Sequence, residues 1–439
     1  MKKATPADST TYLNKLVAES YEREIRIPPG TYYIDSLMIP HKDRVINGDG
    51  VTLIMRNSSR SKNLVWIPKS GVTFENFRLI GPKRDTALKC NGVHTWGTKN
   101  MVFRNLRVSG FYGIGINMLF TNNALVEKNH VTDGIHGIQF WGGEASIMKQ
   151  SIVKNIILQN NFVDRMKYGG IWGSCGDSIM IRNNEVAHCG DVGVDYEKCT
   201  KSVMEGNVVS DCKNGGISFF FGCEKITAIN NTVTQNIKAP GIKFFGGKYT
   251  HRDIVLKNNK VLNSQSGIFF DHGSGKRIHI VNNSIRGITG IKALNCDSIY
   301  VDSNKFMFTN ATVGINNEGG SIWRIKGNTL RNERKDDPAQ NSSVGIRTYY
   351  HSDKHPAQRN EVIDNTVEGF AASILDDRWG DPKSLSGLYS GNTIETFFVN
   401  ENRVKNDFGK SQLNAKPGEF SNRKRLKSGN GVFINIAKY

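Results

Sequence analysis

IMIRNNEVAHCGDVGV (179–194), VMEGNVVSDCKNGGI (203–217), ITAINNTVTQNIKAPGI (226–242), IVLKNNKVLNSQSGI (254–268) and IHIVNNSIRGITGI (278–291) are five lines of one repeat. Each has an apolar alternating run, one or two Asn, a second run, and a Gly before a β-branched residue. Taking the last Asn of each one- or two-Asn group gives positions 184, 207, 231, 259 and 283, in steps of 23, 24, 28 and 24 residues. A period in this range, with strand alternation and no helical periodicity, denotes a stacked solenoid. Asn76, Asn105, Asn129 and Asn161 extend the series upstream; Asn304, Asn328, Asn365 and Asn392 extend it downstream. Ten coils carry the Gly–β-branched pair, from Gly115-Ile116 to Gly345-Ile346, and Ile374 keeps the register without its Gly.

In such a coil three short strands run round a triangle, each pairing with its copy one coil away at roughly 4.8 Å. Identical positions therefore stack. The isoleucines of the Gly-Ile pairs are expected to form one inward column. Asn tolerates the left-handed backbone of a tight bend, and its amide can bond the Asn above.

The pattern resembles the right-handed parallel β-helix proteins of the pectate-lyase-like superfamily over about residues 24–400. Within that superfamily it is most like phage tailspike polysaccharide depolymerases, whose β-helices often open with a segment such as EIRIPPGTYYI (24–34). The resemblance implies an all-β, single-stranded right-handed parallel β-helix of about 12 coils. It also implies, for a tailspike, a homotrimer on a virion or outside the cell. The superfamily holds lyases, hydrolases, epimerases, esterases and non-enzymes, so chemistry must be argued from the site.

Three regions follow: an N-terminal cap (1–23), the β-helix (24–402) and a C-terminal cap or interchain strand (403–439). The cap contains TYLNKLVAESYER (11–23), with Thr10 or Thr11 as N-cap and Leu13, Leu16 and Val17 on one face. MKKATPADST has two Lys and no apolar stretch behind them, so it does not read as a signal peptide. No apolar run reaches membrane-span length. Six of the seven cysteines recur at matching points of the coils (Cys175, Cys199, Cys223 and Cys296; Cys189 and Cys212), and there is no CxxC pair. They read as stacked interior thiols of a chain folded in a reducing cytoplasm. The net charge of +18 and pI near 9.5 favour an anionic partner: acidic polysaccharide, teichoic or lipopolysaccharide phosphate, or nucleic acid. No nucleic-acid-binding motif is present.

Insertions at 142–155, 246–253, 331–343, 350–360 and 377–387 lengthen the turns. Four of the five fall at one corner, where they would wall a groove along the Gly-Ile sheet. Counting the β-branched residue as zero, positions +1 and +3 point outward and +2 inward. The +2 column holds Phe140, Tyr196, Phe219, Phe244 and Phe270, an aromatic core stack. The +1 column reads Gln139, Trp172, Asp195, Ser218, Lys243, Phe269, Lys292, Asn316 and Arg347. The +3 column reads Trp141, Ser174, Glu197, Phe220, Phe245, Asp271, Leu294, Glu318, Tyr349 and Asp377. Outward aromatics in a row suit sugar-ring faces.

Three acidic constellations lie on these columns. Asp195 and Glu197 share one strand, about 6.6 Å apart by strand rise, with Trp172 and Phe220 on the flanking coils. Asp271, with His272, lies between Lys243/Phe245 and Lys292. Glu318, Arg347, Tyr349 and Asp377 form the third. Glycoside hydrolysis needs two carboxylates, one protonated and one ionised, and Asp195 with Glu197 fits by spacing. Elimination from a uronate needs a cation or Ca²⁺ and a base, for which Lys243, Lys292, His272, Arg347 or Tyr349 would serve. FDHG (270–273) is faintly similar to the Asp-Pro-His of alginate epimerases but lacks the Pro. The sequence thus points to a glycosidase-type depolymerase needing no cofactor. The alternatives are a polyuronate lyase or epimerase, with Ca²⁺ for a lyase, and a non-catalytic glycan-binding adhesin.

Overall fold

The structure is a computed structural model. It describes residues 6–82, 89–150, 152–235, 238–309, 311–333, 343–349, 357, 359–377, 388–394, 396–400 and 431–435. Among the described strands pairing is parallel, save that Thr396–Asn400, parallel to Ala372–Asp377 on one side, runs antiparallel to Gly431–Asn435 on the other. The chain is a parallel β-solenoid of about 14 turns, two more than the repeat count suggested. It divides into two compact units, Met1–Ile217 and Ser218–Tyr439.

In the first unit the Gly–β-branched positions stack in register: Val65, Val93, Ile116, Ile138, Ile171 and Val194. All six are fully buried. In the second unit Ile242, Ile268, Ile291, Ile315, Ile346 and Ile374 do the same. The +2 aromatics are buried beside them, with Phe219, Phe244 and Phe270 stacked at 4.7 and 4.3 Å between ring centroids. Gly precedes these inward residues, except Val65 (after Leu64) and Ile374 (after Ser373), because a Cβ there would meet the next coil; at Gly193 it would run into Val209 Cγ1. All seven cysteines are free and buried.

The asparagines form a buried ladder. Asn184 Nδ2 donates to Asn207 Oδ1 (3.0 Å) and to Leu158 O (2.9 Å), and Asn184 Oδ1 accepts from Asn161 N and Nδ2 (both 2.9 Å). Asn129 joins at one end. In the second unit the same contacts run through Asn231, Asn259, Asn283, Asn304, Asn328, Asn365 and Asn392. Asn76 and Asn105 do not belong to this ladder. Arg107 pairs with His130, which places Leu106, not Asn105, in register with Asn129. Asn76 and Asn105 occupy the preceding left-handed corner (φ 65° and 54°) and bond in a separate ladder that begins at Asn47.

The N-terminal helix spans Pro6–Glu19 and buries Leu13 and Val17. It begins before Thr10, so neither Thr10 nor Thr11 is its N-cap. Thr10 Oγ1 instead accepts from Asp35 N (3.0 Å), tying the helix to the first coils. No described helix is long and apolar enough to cross a membrane. The insertion 142–155 is described except for residue 151, and 246–253 is described throughout. Most of 331–343, 350–360 and 377–387, and residues 403–430, lie outside the described residues.

The ladder yields the first expectation. Asn184→Ala strands the Asn161 donors and the Leu158 carbonyl, and should cost on the order of 2–3 kcal/mol in denaturant unfolding. Lys154→Ala, at an exposed outward position, should cost less than about 0.5 kcal/mol. Equal midpoints for the two variants would show that the ladder does not hold the register.

Candidate active site

Alternation along Val192–Glu197 sends Val194 and Tyr196 inward and Asp195 and Glu197 outward. The Tyr196 hydroxyl lies 2.7 Å from Val203 O and 3.0 Å from Ile179 O, which pins the strand from within. Asp195 points outward yet is only 3% exposed, and its Oδ1 has no partner among the described residues. Burial raises its pKa well above the ordinary carboxyl value; Glu197 and Asp191 add to this, and a backbone hydrogen bond from Gly173 opposes it. Burial, with Glu144 and Asp191, pushes Glu197 up to about 7. Glu144 belongs to the 142–155 insertion, so that loop folds beside the acid pair.

The +1 column of this unit carries further unsatisfied atoms. Trp66, His94, Asn117, Gln139 and Trp172 are in register, and Asp195 follows because Ile171 pairs with Val194. Five consecutive members bear a buried polar atom without a partner among the described residues: His94 Nδ1, Asn117 Oδ1, Gln139 Oε1, Trp172 Nε1 and Asp195 Oδ1. Buried polar atoms are nearly always paired. At one coil per step the row spans about 19 Å. Water or ligand hydroxyls are what would complete it.

Gln139 and Trp172 line a groove of about 920 Å³, and Asp195 is the next residue of the column beyond it. The rim is cationic and aromatic, with Arg60, Lys62, Lys89, Lys167, Tyr112 and Tyr168. His136 stands between Tyr168 (5.4 Å between centroids) and Trp172 (5.2 Å). Its Nδ1 accepts from Gly169 N at 3.3 Å, which leaves the proton on Nε2. Burial lowers its pKa to about 4; Lys89 adds to this and Asp191 opposes it, so the ring is neutral at neutral pH.

The remaining candidates fall in separate places. In the first unit Trp141 is half-buried and packs edge-on against Phe120 at 5.2 Å, while Ser174, in register with Glu197, donates to Gly143 O. In the second unit Phe220 stacks on Phe245 at 3.8 Å, and Lys243 Nζ lies 3.9 Å from the Phe245 ring centre. These aromatics cover one another rather than standing bare. Lys292 Nζ is 5.9 Å from the Phe269 ring centre. Asp271 Oδ1 accepts from His272 N, and His272 Nε2 accepts from Asn295 Nδ2, both at 2.8 Å. Glu318 and Tyr349 are in register, the Arg347 guanidinium lies 4.7 Å from the Tyr349 ring centre, and the backbone of Asp377 aligns with Tyr349. Among the described residues no group of three or more His, Cys, Asp or Glu side chains is placed to hold a metal ion.

The sequence family described as right handed beta helix region matches residues 91–261. The protein is a right-handed parallel β-helix. Solved structures agree on the fold. Bacteriophage CBA120 tailspike protein 3 superposes with a TM-score of 0.59 at 13% identity, covering 90% of this chain and 60% of that one. The A-module of mannuronan C-5 epimerase AlgE4 from Azotobacter vinelandii gives 0.51 at 13%, covering 75% and 93%. DFA-IIIase from Arthrobacter chlorophenolicus A6 gives 0.50 at 11%, covering 74% and 92%. No curated protein sequence matches the chain.

In this β-helix, sequence reasoning missed His136 and the groove cations. His136 sits at −2 of its coil, where alternation counted back from Ile138 would place it inward, yet it is half-buried and lines the groove. Arg60, Lys89 and Lys167 leave turns, where no period places them.

A stability measurement checks the acid pair. An unfolded glutamate releases its proton near 4.5, whereas Glu197 holds it to about 7. The folded protein therefore loses stability as pH rises between these values. Glu197→Gln removes that loss. It should leave stability nearly unchanged at pH 4 and raise it by up to about 3 kcal/mol at pH 8. A difference independent of pH would mean that Glu197 titrates normally.

Proposed function

We propose that the protein is a polysaccharide depolymerase of the glycoside hydrolase type, acting on an anionic chain laid along the +1 column of the first unit. The observation that carries this is Asp195: buried, unpartnered at Oδ1, and last in a row of unsatisfied polar atoms that opens into a cation-rimmed groove. Sugar hydroxyls supply both donors and acceptors, which such a row requires. Trp172 and Tyr168 offer faces for sugar rings, and Arg60, Lys62, Lys89 and Lys167 offer charge for carboxylates or phosphates of the chain. The similar mannuronan epimerase lends precedent to a glycan ligand on this fold.

The two raised carboxyls divide the chemistry. Asp195 is the more deeply buried and keeps its proton; it would protonate the glycosidic oxygen as the bond to the anomeric carbon breaks. Glu197 ionises first and would act on the opposite side, as base toward water or as nucleophile. As the pair interacts, its titration belongs to both groups. In this reading the protein works at a cell surface, on a virion or free, and would be a homotrimer if it assembles as a tailspike.

Incubation with acidic capsular polymers, following reducing ends and unsaturated-uronate absorbance, tests the reading. Reducing ends alone are expected, with activity rising through about pH 7 as Glu197 ionises. Asp195→Asn and Glu197→Gln should each lower turnover by a factor on the order of 10² or more and leave binding nearly intact. Binding should weaken between low and high salt. Unsaturated product would replace the hydrolase with a lyase. Retained binding without any product would make the protein an adhesin.

A further inference from the structure

Elsewhere on the β-helix, charges on neighbouring coils are matched. In the first unit Arg56 meets Asp35, Arg104 meets Glu75, Arg165 meets Asp133 and Lys201 meets Asp177. The second unit repeats the rule with Arg277 on Asp253, Arg324 on Asp302 and Arg331 on Glu368. One column of the first unit departs from this, as the register pair Arg252 and Lys276 does in the second. On the sheet made by Thr73–Ile80, Arg107–Ser109 and His130–Thr132, Arg78 pairs with Arg107 and Arg107 with His130. Two guanidinium groups and an imidazole follow one another at about 4.8 Å per coil. Neither Arg78 nor Arg107 makes an ion pair with a described residue. Asp133, the acid that acts on His130, is held by both arms of Arg165 at 2.7 and 2.9 Å. Phe162 closes the column, its ring 4.5 Å from that of His130.

Arg78, Arg107 and His130 line a cavity of about 220 Å³ together with Val108, Ser109 and Thr132. That is room for one tetrahedral anion and part of its carrier. Like charges stacked in register repel, and a dianion between them turns the repulsion into two charge-assisted contacts. Arginine's planar fork matches phosphate and sulfate oxygens. We infer that Arg78, Arg107 and His130 form an anion site, separate from the groove, that takes a phosphate or sulfate monoester group. On a polymer such a site would hold a substituent while the Gly-Ile sheet addresses the chain.

Calorimetric titration of the full chain at low salt tests this, with inorganic phosphate, glucose 6-phosphate, glucose 6-sulfate and glucose as probes. Saturable binding of the charged probes and none of glucose is expected. Arg78→Gln with Arg107→Gln should weaken it at least tenfold, and Arg107→Lys should weaken it as well, because an ammonium lacks the fork. Both arginines are exposed, so the variants should melt no lower than the parent, and phosphate should raise the melting temperature of the parent alone. Inorganic phosphate binding as tightly as the esters identifies a free anion as the ligand; esters binding tenfold tighter identify the carrier as part of it. Lys62→Gln with Lys89→Gln, in the groove, should leave this binding intact. Binding that survives in the double arginine variant but is lost in the lysine variant overturns the site. So does the absence of binding by any charged probe at millimolar concentration.

Discussion

Each inner rung of the buried asparagine ladder satisfies all of its amide's capacity. Asn184 gives two hydrogen bonds through Nδ2 and receives two at Oδ1, one of them from the backbone of Asn161 at the corner. A corner N–H has no ladder partner of its own, because the strands on either side of it diverge. The amide of the next coil supplies that partner, and thereby fixes which residue lies over which. A slip of one residue would leave four polar groups per coil unmet in a dry interior, several kcal/mol each time. Everything argued about columns rests on this. Parallel strands alone would define the direction of stacking but not its phase.

With the phase fixed, function is visible as departure from the repeating solution. The inner rungs of the ladder leave nothing unsatisfied, whereas five successive outward residues from His94 to Asp195 each leave a polar atom without a partner among the described residues. Seven outer cations meet a carboxylate of a neighbouring coil, whereas Arg78, Arg107 and His130 stack on one another. A solenoid has no reason of stability to keep either feature, since a matched or apolar residue at the same position would stack better. Both are therefore read as surfaces completed by something else.

Sequence made the columns legible because they follow from a period of two within a period of about 23. Asp195, Glu197 and Trp172 could be assigned to one outward surface from their distance to Val194 and Ile171. The burial of Asp195 could not, since it depends on side chains and turns that obey no period. The same limit hid Arg60, Lys89 and Lys167. Asn105 misled for a different reason: two adjacent corner positions both favour Asn, one for left-handed backbone and one for the buried amide. Only strand pairing separates them, and Leu106 occupies the second position in that coil. The +3 aromatics Phe220 and Phe245 were legible as outward but not as a self-covering stack.

The placement of charge in the first unit bears on how an acid pair can work inside a protein of net charge +18. A lysine against Asp195 or Glu197 would stabilise the carboxylate, lower its pKa and remove the proton that general-acid catalysis needs. The charges acting on the pair are instead other acids: Asp191 on both, and Glu144 on Glu197. The groove cations act on His136, through Lys89, and not on the pair. Positive charge is thus kept where an anionic chain would be held and away from where a bond would be broken. That separation lets one surface attract an anion and still keep a carboxylic acid protonated near neutral pH. A uniformly basic floor would bind the same chain, but its carboxyls would be ionised and its ligand would leave unchanged.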